Sequence, residues 1–205
     1  FAFDTKQELY PDDVIRPFVR TSILNTVLLL ESAANCLIEA LDLPSQFYQD
    51  IEKLPFISKF EFFLNKVQPN KNFDRGCAEV QGVKELKSIR DSYVHPKVKK
   101  TKYFKVEDGV WDTDYGQTKQ LKFPRAPRSW KRDHAILALN SVNVFFNLFF
   151  LDWCELSSDS VVDLLFSSEK VDLNNPIGGY IDCVGGLDRA VKEWGVDFAF
   201  VGKKV

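Results

Sequence analysis

The residue types best suited to chemistry lie together in the stretch Arg90-Asp91-Ser92-Tyr93-Val94-His95, which Pro96 follows. Arginine is a permanent cation whose fixed fork of donors can clamp a phosphate, and histidine is the side chain that titrates near neutral pH. A positioned histidine can move a proton while an arginine stabilises negative charge on phosphate oxygens. Because RNA supplies its own 2′-hydroxyl nucleophile, Arg90 and His95 have the chemistry needed to cleave RNA without a metal.

The same residues also have an ordinary structural explanation. Arg90 and Asp91 can form a salt bridge on a helix, and a histidine before a proline can cap a helix near its dipole. Asp91 is expected to orient or hydrogen-bond a neighbour rather than to react, and Tyr93 fits a position in the core. The residues alone leave the catalytic and the structural explanation open.

Charge is distributed unevenly along the chain. Its net charge is −2, but residues 84 to 132 include 14 Lys or Arg and 6 Asp or Glu, so that this part carries +8 and the remainder −10. A basic segment in an acidic chain is typical either of an anion-binding surface or of a solvated hairpin with its flanking helix ends. The candidate RNA-binding residues are Lys97, Lys99, Lys100, Lys102, Lys122, Arg125, Arg128, Lys131 and Arg132.

Composition limits the remaining classes. The chain has 205 residues, of which 45% are hydrophobic, enough for one sizeable core. Two histidines and no CxxC pair argue against a metal site, and we expect no cofactor. The most apolar run, Val142 to Trp153, is shorter than the roughly 20 residues needed to span a bilayer, so we expect no membrane association. Cysteines in apolar helical patterns favour reduced thiols and a cytoplasmic location. The four cysteines are Cys36, Cys77, Cys154 and Cys183.

Hydrophobic periodicity predicts a mainly all-α fold, an antiparallel four-helix bundle with a β-hairpin insertion and a small irregular C-terminal extension. Residues 1–156 form the bundle, the insertion covers about 99–124, and residues 157–205 pack on it. The predicted helices are 13–41, 49–67 with a break at Pro55, 77–94, 133–156, 161–166 and 187–194, with a strand at 196–201. The third helix should end at Val94, because a residue before proline avoids helical geometry.

Three further features of these helices bear on the site and on assembly. Glu31 is either a buried functional carboxylate or a structural acid of the first helix. His134 is expected in the capping region of the fourth helix. That helix is apolar nearly all round, so it is either central or covered by a partner chain.

The helix places a geometric condition on the motif. Arg90 and His95 are five residues apart, which corresponds to about 140° of rotation on an ideal helix, so they do not share a face. For both residues to act on one substrate, the chain must leave helical geometry before Pro96, or the Arg90 side chain must extend around the helix, or two subunits must contribute their motifs to one site.

The motif and its setting resemble the HEPN superfamily. Its hallmark is an arginine, then a polar residue, then a histidine after four to six residues, which Arg90, Asp91 and His95 match with four residues between arginine and histidine. Residues 86–89 and 96–97 around the motif also look like the family, as does the 59–67 helix with its polar loop. The resemblance covers about residues 13–156, without the hairpin and the tail.

The resemblance implies catalytic roles for Arg90, His95 and Asp91 in a metal-independent endoribonuclease or RNA-binding protein of a toxin–antitoxin or defence system. It implies RNA as the ligand, a homodimer whose two motifs share one cleft, and a protein partner such as an antitoxin. The alternative is a non-catalytic HEPN-like module that dimerises or docks a partner. A nucleotide-binding helper of a nucleotidyltransferase is a third idea, supported by family analogy alone.

Overall fold

The computed structural model describes residues 12–97, 102–166 and 186–202. The described parts are mainly helical with one two-stranded antiparallel sheet, which confirms the predicted fold class at that level. The α-helices are α1 Asp12–Glu39, α2 Ser45–Ile51, α3 Phe56–Val67, α4 Ala78–Val94, α5 Arg132–Phe146, α6 Ser158–Phe166 and α7 Gly186–Trp194. The strands are β1 Lys102–Glu107 and β2 Val110–Asp114, and short 3-10 turns cover Pro127–Ser129 and Ala199–Val201.

The long helices pack around a core rich in phenylalanine. Helix α1 packs against α3, α4, α5 and α6, and α4 packs against α5. Phe60 of α3 lies at the centre, with its ring 4.9 Å from that of Phe145 and 4.7 Å from that of Phe149, both edge-on. Edge-to-face pairs of this kind add about 0.5–1.5 kcal/mol each beyond the area they bury. This core fixes the positions of α3 and α4, the two helices that carry the site.

The hairpin predicted between the third and fourth long helices is confirmed. Strands β1 and β2 pair antiparallel through the Asp108-Gly109 turn, and Gly109 has the positive φ of 81° that this turn requires. The loop that follows the hairpin returns to α4, where the Glu85 carboxylate accepts hydrogen bonds from the backbone N–H groups of Gln120 (2.7 Å) and Leu121 (2.9 Å). Burial alone would raise the pKa of Glu85, but these donors lower it below its ordinary value.

The end of the fourth long helix differs from the prediction. Helix α5 ends at Phe146, and a π-helical segment, Asn147–Trp153, continues it. The Asn147 side chain donates to the Asp197 carbonyl at 3.1 Å and accepts the Phe200 N–H at 2.9 Å. These bonds hold the C-terminal segment against the helical core, with the Phe200 ring 5.2 Å from that of Phe146.

The predicted strand at 196–201 is wrong, because residues 199–201 form a 3-10 turn. A short apolar run cannot be assigned by periodicity alone, and here its aromatic side chains enter the core instead of pairing in a sheet. The two predicted tail helices are confirmed as α6 and α7. Residues 167–185, which include Cys183, lie outside the described residues.

Within the described ranges, two helical stretches, Val14–Glu39 and Arg132–Trp153, are long and apolar enough to cross a membrane by length and composition. The core helix of a water-soluble protein passes the same test, and both stretches supply residues to the hydrophobic core, among them Ile23 and Phe149. The absence of membrane association and the cytoplasmic location stay predictions.

Candidate functional site: a basic cleft at the end of helix α4

Helix α4 ends where the sequence predicts. Val94 is its last residue, and His95 is the C-cap with φ −122° and ψ 71°, outside helical geometry. The His95 N–H still donates to the Asp91 carbonyl at 2.9 Å. The chain therefore leaves the helix before Pro96, and the side chains of Arg90 and His95 line one cleft within a single chain.

The cleft is open and has a volume of about 940 Å³. It lies between the first turn of α3 and one face of α4, with Arg75 of the intervening loop beside it. Four cations besides Arg90 line it, against one carboxylate. Its polar lining residues are Ser58, Arg75, Lys84, Lys87, Ser88, Arg90, Asp91, Ser92, His95 and Lys97.

Arg90 is fixed by two carboxylates. Its Nη2 donates to Glu31 of α1, and its Nη1 donates to Asp91 Oδ1 at 2.9 Å. The side chain is only 17% exposed, so its guanidinium is held rather than free to rotate. Asp91 also accepts from Lys87, one helical turn earlier. Both parts of the structural explanation, the Arg90–Asp91 ion pair and a capping His95, are thus present beside the cleft.

A buried lysine lies near the Glu31 side of this network. Lys59 of α3 is 7% exposed, and its Nζ donates to Asn35 Oδ1 at 2.6 Å. Burial lowers the pKa of the Lys59 ammonium, although Glu52 and Glu31 act in the opposite direction. Glu31 and Asn35 are one turn apart on α1, so this helix face contacts both α3 and α4 through polar side chains.

The cations of the cleft differ in whether a carboxylate already neutralises them. Arg75 is paired with Glu61, with Nε 3.0 Å from Oε2, and Lys87 and Arg90 are paired as described. Lys84 and Lys97 have no ion-pair partner among residues 12–97, 102–166 and 186–202. These two exposed lysines therefore supply the uncompensated positive charge of the cleft.

The predicted RNA-binding residues do not all lie together. Lys97 lines the cleft, and Lys99 and Lys100 fall outside the described residues. Lys102 is exposed on β1, and the Arg128 guanidinium lies over the Tyr115 ring at 5.4 Å. The others in the loop and at the start of α5 are exposed, namely Lys122, Arg125 and Lys131.

Arg132 lies apart from the cleft, on α5. Its guanidinium is 6.0 Å from the Trp194 ring of α7, beside a small cavity of about 100 Å³. This cavity is lined by residues of α1, α5 and α7, none of which line the basic cleft.

The second histidine has the capping role that the sequence predicts. His134 Nδ1 accepts a hydrogen bond of 2.9 Å from the Lys131 N–H at the start of α5. Burial lowers the pKa of His134, with Asp133 opposing that change and Lys131 adding to it. His134 therefore stabilises a helix terminus and does not line the cleft.

Sequence reasoning missed several residues of the cleft. Lys84, Ser88 and Ser92 precede His95 at three- and four-residue steps, so they share its face of α4, and this spacing could have identified them. The pairing of Arg90 with Glu31 has no signal in the spacing, because 59 residues separate them.

Among the described residues, no group of three or more His, Cys, Asp or Glu side chains could hold a metal ion. No family model matches the sequence, and searches of curated proteins and of solved structures also find no match.

Proposed function

We propose that this protein is a HEPN-like, metal-independent endoribonuclease or RNA-binding protein. The observation that carries the proposal is that Arg90 and His95 line the same basic cleft although they lie on different faces of an ideal helix. In this proposal α1, α3, α4 and α5 are the four helices of an antiparallel HEPN-like bundle, and the hairpin is an insertion. A cytoplasmic toxin–antitoxin or defence system, with an antitoxin as partner, is the proposed setting.

The proposed reaction uses the 2′-hydroxyl beside the scissile phosphate as nucleophile. His95 accepts its proton while the O2′–P bond forms and the P–O5′ bond breaks, and the departing 5′-oxygen takes up a proton from the imidazolium or from water. The products are a 2′,3′-cyclic phosphate and a 5′-hydroxyl. The His95 side chain is exposed, so it is accessible to such a substrate.

Arg90 would stabilise the phosphate oxygens with the donors that its carboxylate partners leave unused. A guanidinium has five N–H groups, and the contacts to Glu31 and Asp91 use one on each Nη. Asp91 and Glu31 then act as positioning residues, since they fix the fork before substrate arrives. Donors that are fixed in advance need no reorganisation when charge develops on the phosphate.

The decisive experiment is an RNase assay on total RNA, with and without EDTA, for the wild type, Arg90→Ala and His95→Ala. We expect both variants to remain folded and to lose cleavage, EDTA to have no effect, and the wild-type products to end in cyclic phosphates. His134→Gln is the matched control, because His134 is the other histidine of the chain and does not line the cleft. Full activity of His95→Ala, or cleavage that disappears with EDTA, would refute this mechanism.

A non-catalytic module that dimerises or docks a partner is the second candidate. The specific observation in its favour is that Arg90 is already neutralised by two carboxylates while His95 caps α4. In that case His95→Ala and the wild type would bind RNA or a partner equally and neither would cleave.

A further inference from the structure

We propose that the Lys84–Ser88 end of the cleft binds a second phosphate of the RNA strand, about two or three nucleotides from the scissile phosphate. The inference deepens the proposed function and rests on it. A second phosphate site requires a substrate that is a continuous single strand running along α4, rather than a dinucleotide or a mononucleotide. Neither Lys84 nor Ser88 belongs to the Arg–His motif.

The position of Lys84 and Ser88 along α4 places them at one end of the cleft. Lys84 and Ser88 are one turn apart on the face of α4 that also carries His95, and all three line the cleft. Lys84 precedes Arg90 by six residues, which is about 9 Å along a helix that rises 1.5 Å per residue. A stacked strand advances about 3.4 Å per nucleotide, so Lys84 lies about two or three nucleotides from a phosphate held at Arg90.

The charge at this end of the cleft also suits a phosphate. Lys84 is exposed and, within the described ranges, has no carboxylate partner, whereas the neighbouring Lys87 is committed to Asp91. The Ser88 hydroxyl is also exposed and has no hydrogen-bond partner among the described residues. An ammonium and a hydroxyl on one helix face, both accessible from a cleft, match the charge and the acceptor oxygens of a phosphodiester.

The arrangement of the cations around Arg90 suits a strand with several phosphates. The two unpaired cations, Lys84 and Lys97, flank it on opposite sides in the chain, one near the start of the cleft face and one beyond the helix end. Cations that are spaced along a cleft hold successive phosphates of a strand without reading its bases. A single phosphate held at Arg90 could not contact Lys84 and Lys97 at the same time.

The test measures binding of fully 2′-O-methylated single-stranded oligonucleotides, which lack the attacking hydroxyl, by fluorescence anisotropy. Oligonucleotides of two and eight residues are compared on the wild type, Lys84→Ala, Lys84→Arg and Lys192→Ala. Lys192 is the matched control, because it is an exposed lysine on α7, away from the cleft. Cleavage of an unmodified octamer is measured in parallel, and thermal unfolding checks the fold of each variant.

We expect Lys84→Ala to bind the octamer about tenfold more weakly, the loss expected for one charge-assisted contact, and to bind the dinucleotide like the wild type. Lys84→Arg and Lys192→Ala should keep wild-type affinity for both oligonucleotides.

Unchanged octamer binding by Lys84→Ala, with cleavage intact, overturns the second phosphate site and leaves the proposed nuclease activity in place. Equal loss for both lengths also overturns it, because Lys84 would then act on the whole cleft. Lys84-dependent octamer binding without any cleavage retains the site and refutes the nuclease, and a wild type that binds neither oligonucleotide overturns both.

Discussion

Arg90 of α4 is held by Glu31 of α1, a residue 59 positions earlier in the chain. The pair joins two helices at the side of the cleft, and the Glu31 side chain is 30% exposed, so it is not the buried carboxylate that the sequence allowed. The carboxylate is neither isolated nor simply solvated, since it fixes the orientation of the arginine that the motif singles out.

Replacing Glu31 with Gln should lower the free energy of unfolding by about 1–3 kcal/mol, because the partly buried guanidinium loses one of its two carboxylates. Urea denaturation measures the change. Glu61→Gln is the control, since it removes a carboxylate from the more exposed Arg75 and should cost about 1 kcal/mol or less. A Glu31→Gln variant as stable as Glu61→Gln would show that the contact with Glu31 contributes little to the fold.

The basic segment gives a prediction about salt. A triple variant with Lys97, Lys122 and Arg125 changed to Ala should bind single-stranded RNA more weakly. The slope of its log affinity against log salt concentration should become less negative by about 2, because each of the three lost phosphate contacts contributes roughly 0.7. Binding titrations between low and high salt measure this slope.

The control for the salt prediction is a second triple variant with the same change of net charge. It carries alanine at Lys53, Lys66 and Lys192, all exposed and none of them in the cleft lining. If both triple variants flatten the slope equally, the basic segment acts through net charge and does not hold the phosphate backbone.

His134 gives a prediction about pH. Its folded-state pKa is lowered, so below its ordinary value of about 6.5 the unfolded chain binds a proton that the folded chain resists. The stabilisation is therefore complete above that value and is lost as the pH falls towards the folded-state pKa. Protonation also removes the lone pair of Nδ1 that accepts the Lys131 N–H.

We expect the free energy of unfolding of the wild type to fall between pH 7 and pH 5 and that of His134→Gln to fall less. Chemical denaturation across this range measures both. His95→Gln, which leaves the cap of α5 intact, should follow the wild type. A wild type and a His134→Gln variant with parallel pH profiles would contradict this account of the cap.

The elements that sequence predicts well are those whose ends have a local cause. Pro96 sets the end of α4, and the Asp108-Gly109 turn sets the hairpin, because both act through backbone geometry next to them. The π-helical segment after Phe146 has no such cause. It forms where Asn147 bonds to a C-terminal segment about 50 residues later, a contact that periodicity cannot reveal.

The same distinction applies to the site. Arg90 and His95 could be identified from residue type and spacing, and Pro96 predicts the end of the helix beside them. Lys84 and Ser88 follow from the same helical spacing once the face that carries His95 is known. The pairing of Glu31 with Arg90 depends on how α1 packs against α4, so it needs the tertiary structure.

Assembly is the last prediction, and the structure changes its basis. Because each chain brings its own Arg90 and His95 to one cleft, the alignment of the motif no longer requires a second subunit. The apolar character of α5 remains: residues 135 to 151 contain no charged side chain, and Val144 on its outer face is 49% exposed. We therefore still predict a homodimer, now joined through the outer face of α5.

Light scattering at micromolar concentration should show a dimer for the wild type and a monomer for Val144→Asp, because a carboxylate at the centre of an apolar interface is not compensated. Val106→Asp is the control, since Val106 is similarly exposed, at 54%, but lies on the hairpin. Mixed dimers of Arg90→Ala and His95→Ala chains should not recover cleavage, as neither cleft then holds both residues. Recovery would mean that the two chains contribute to a shared cleft, and a monomeric wild type would remove the reason for an interface on α5.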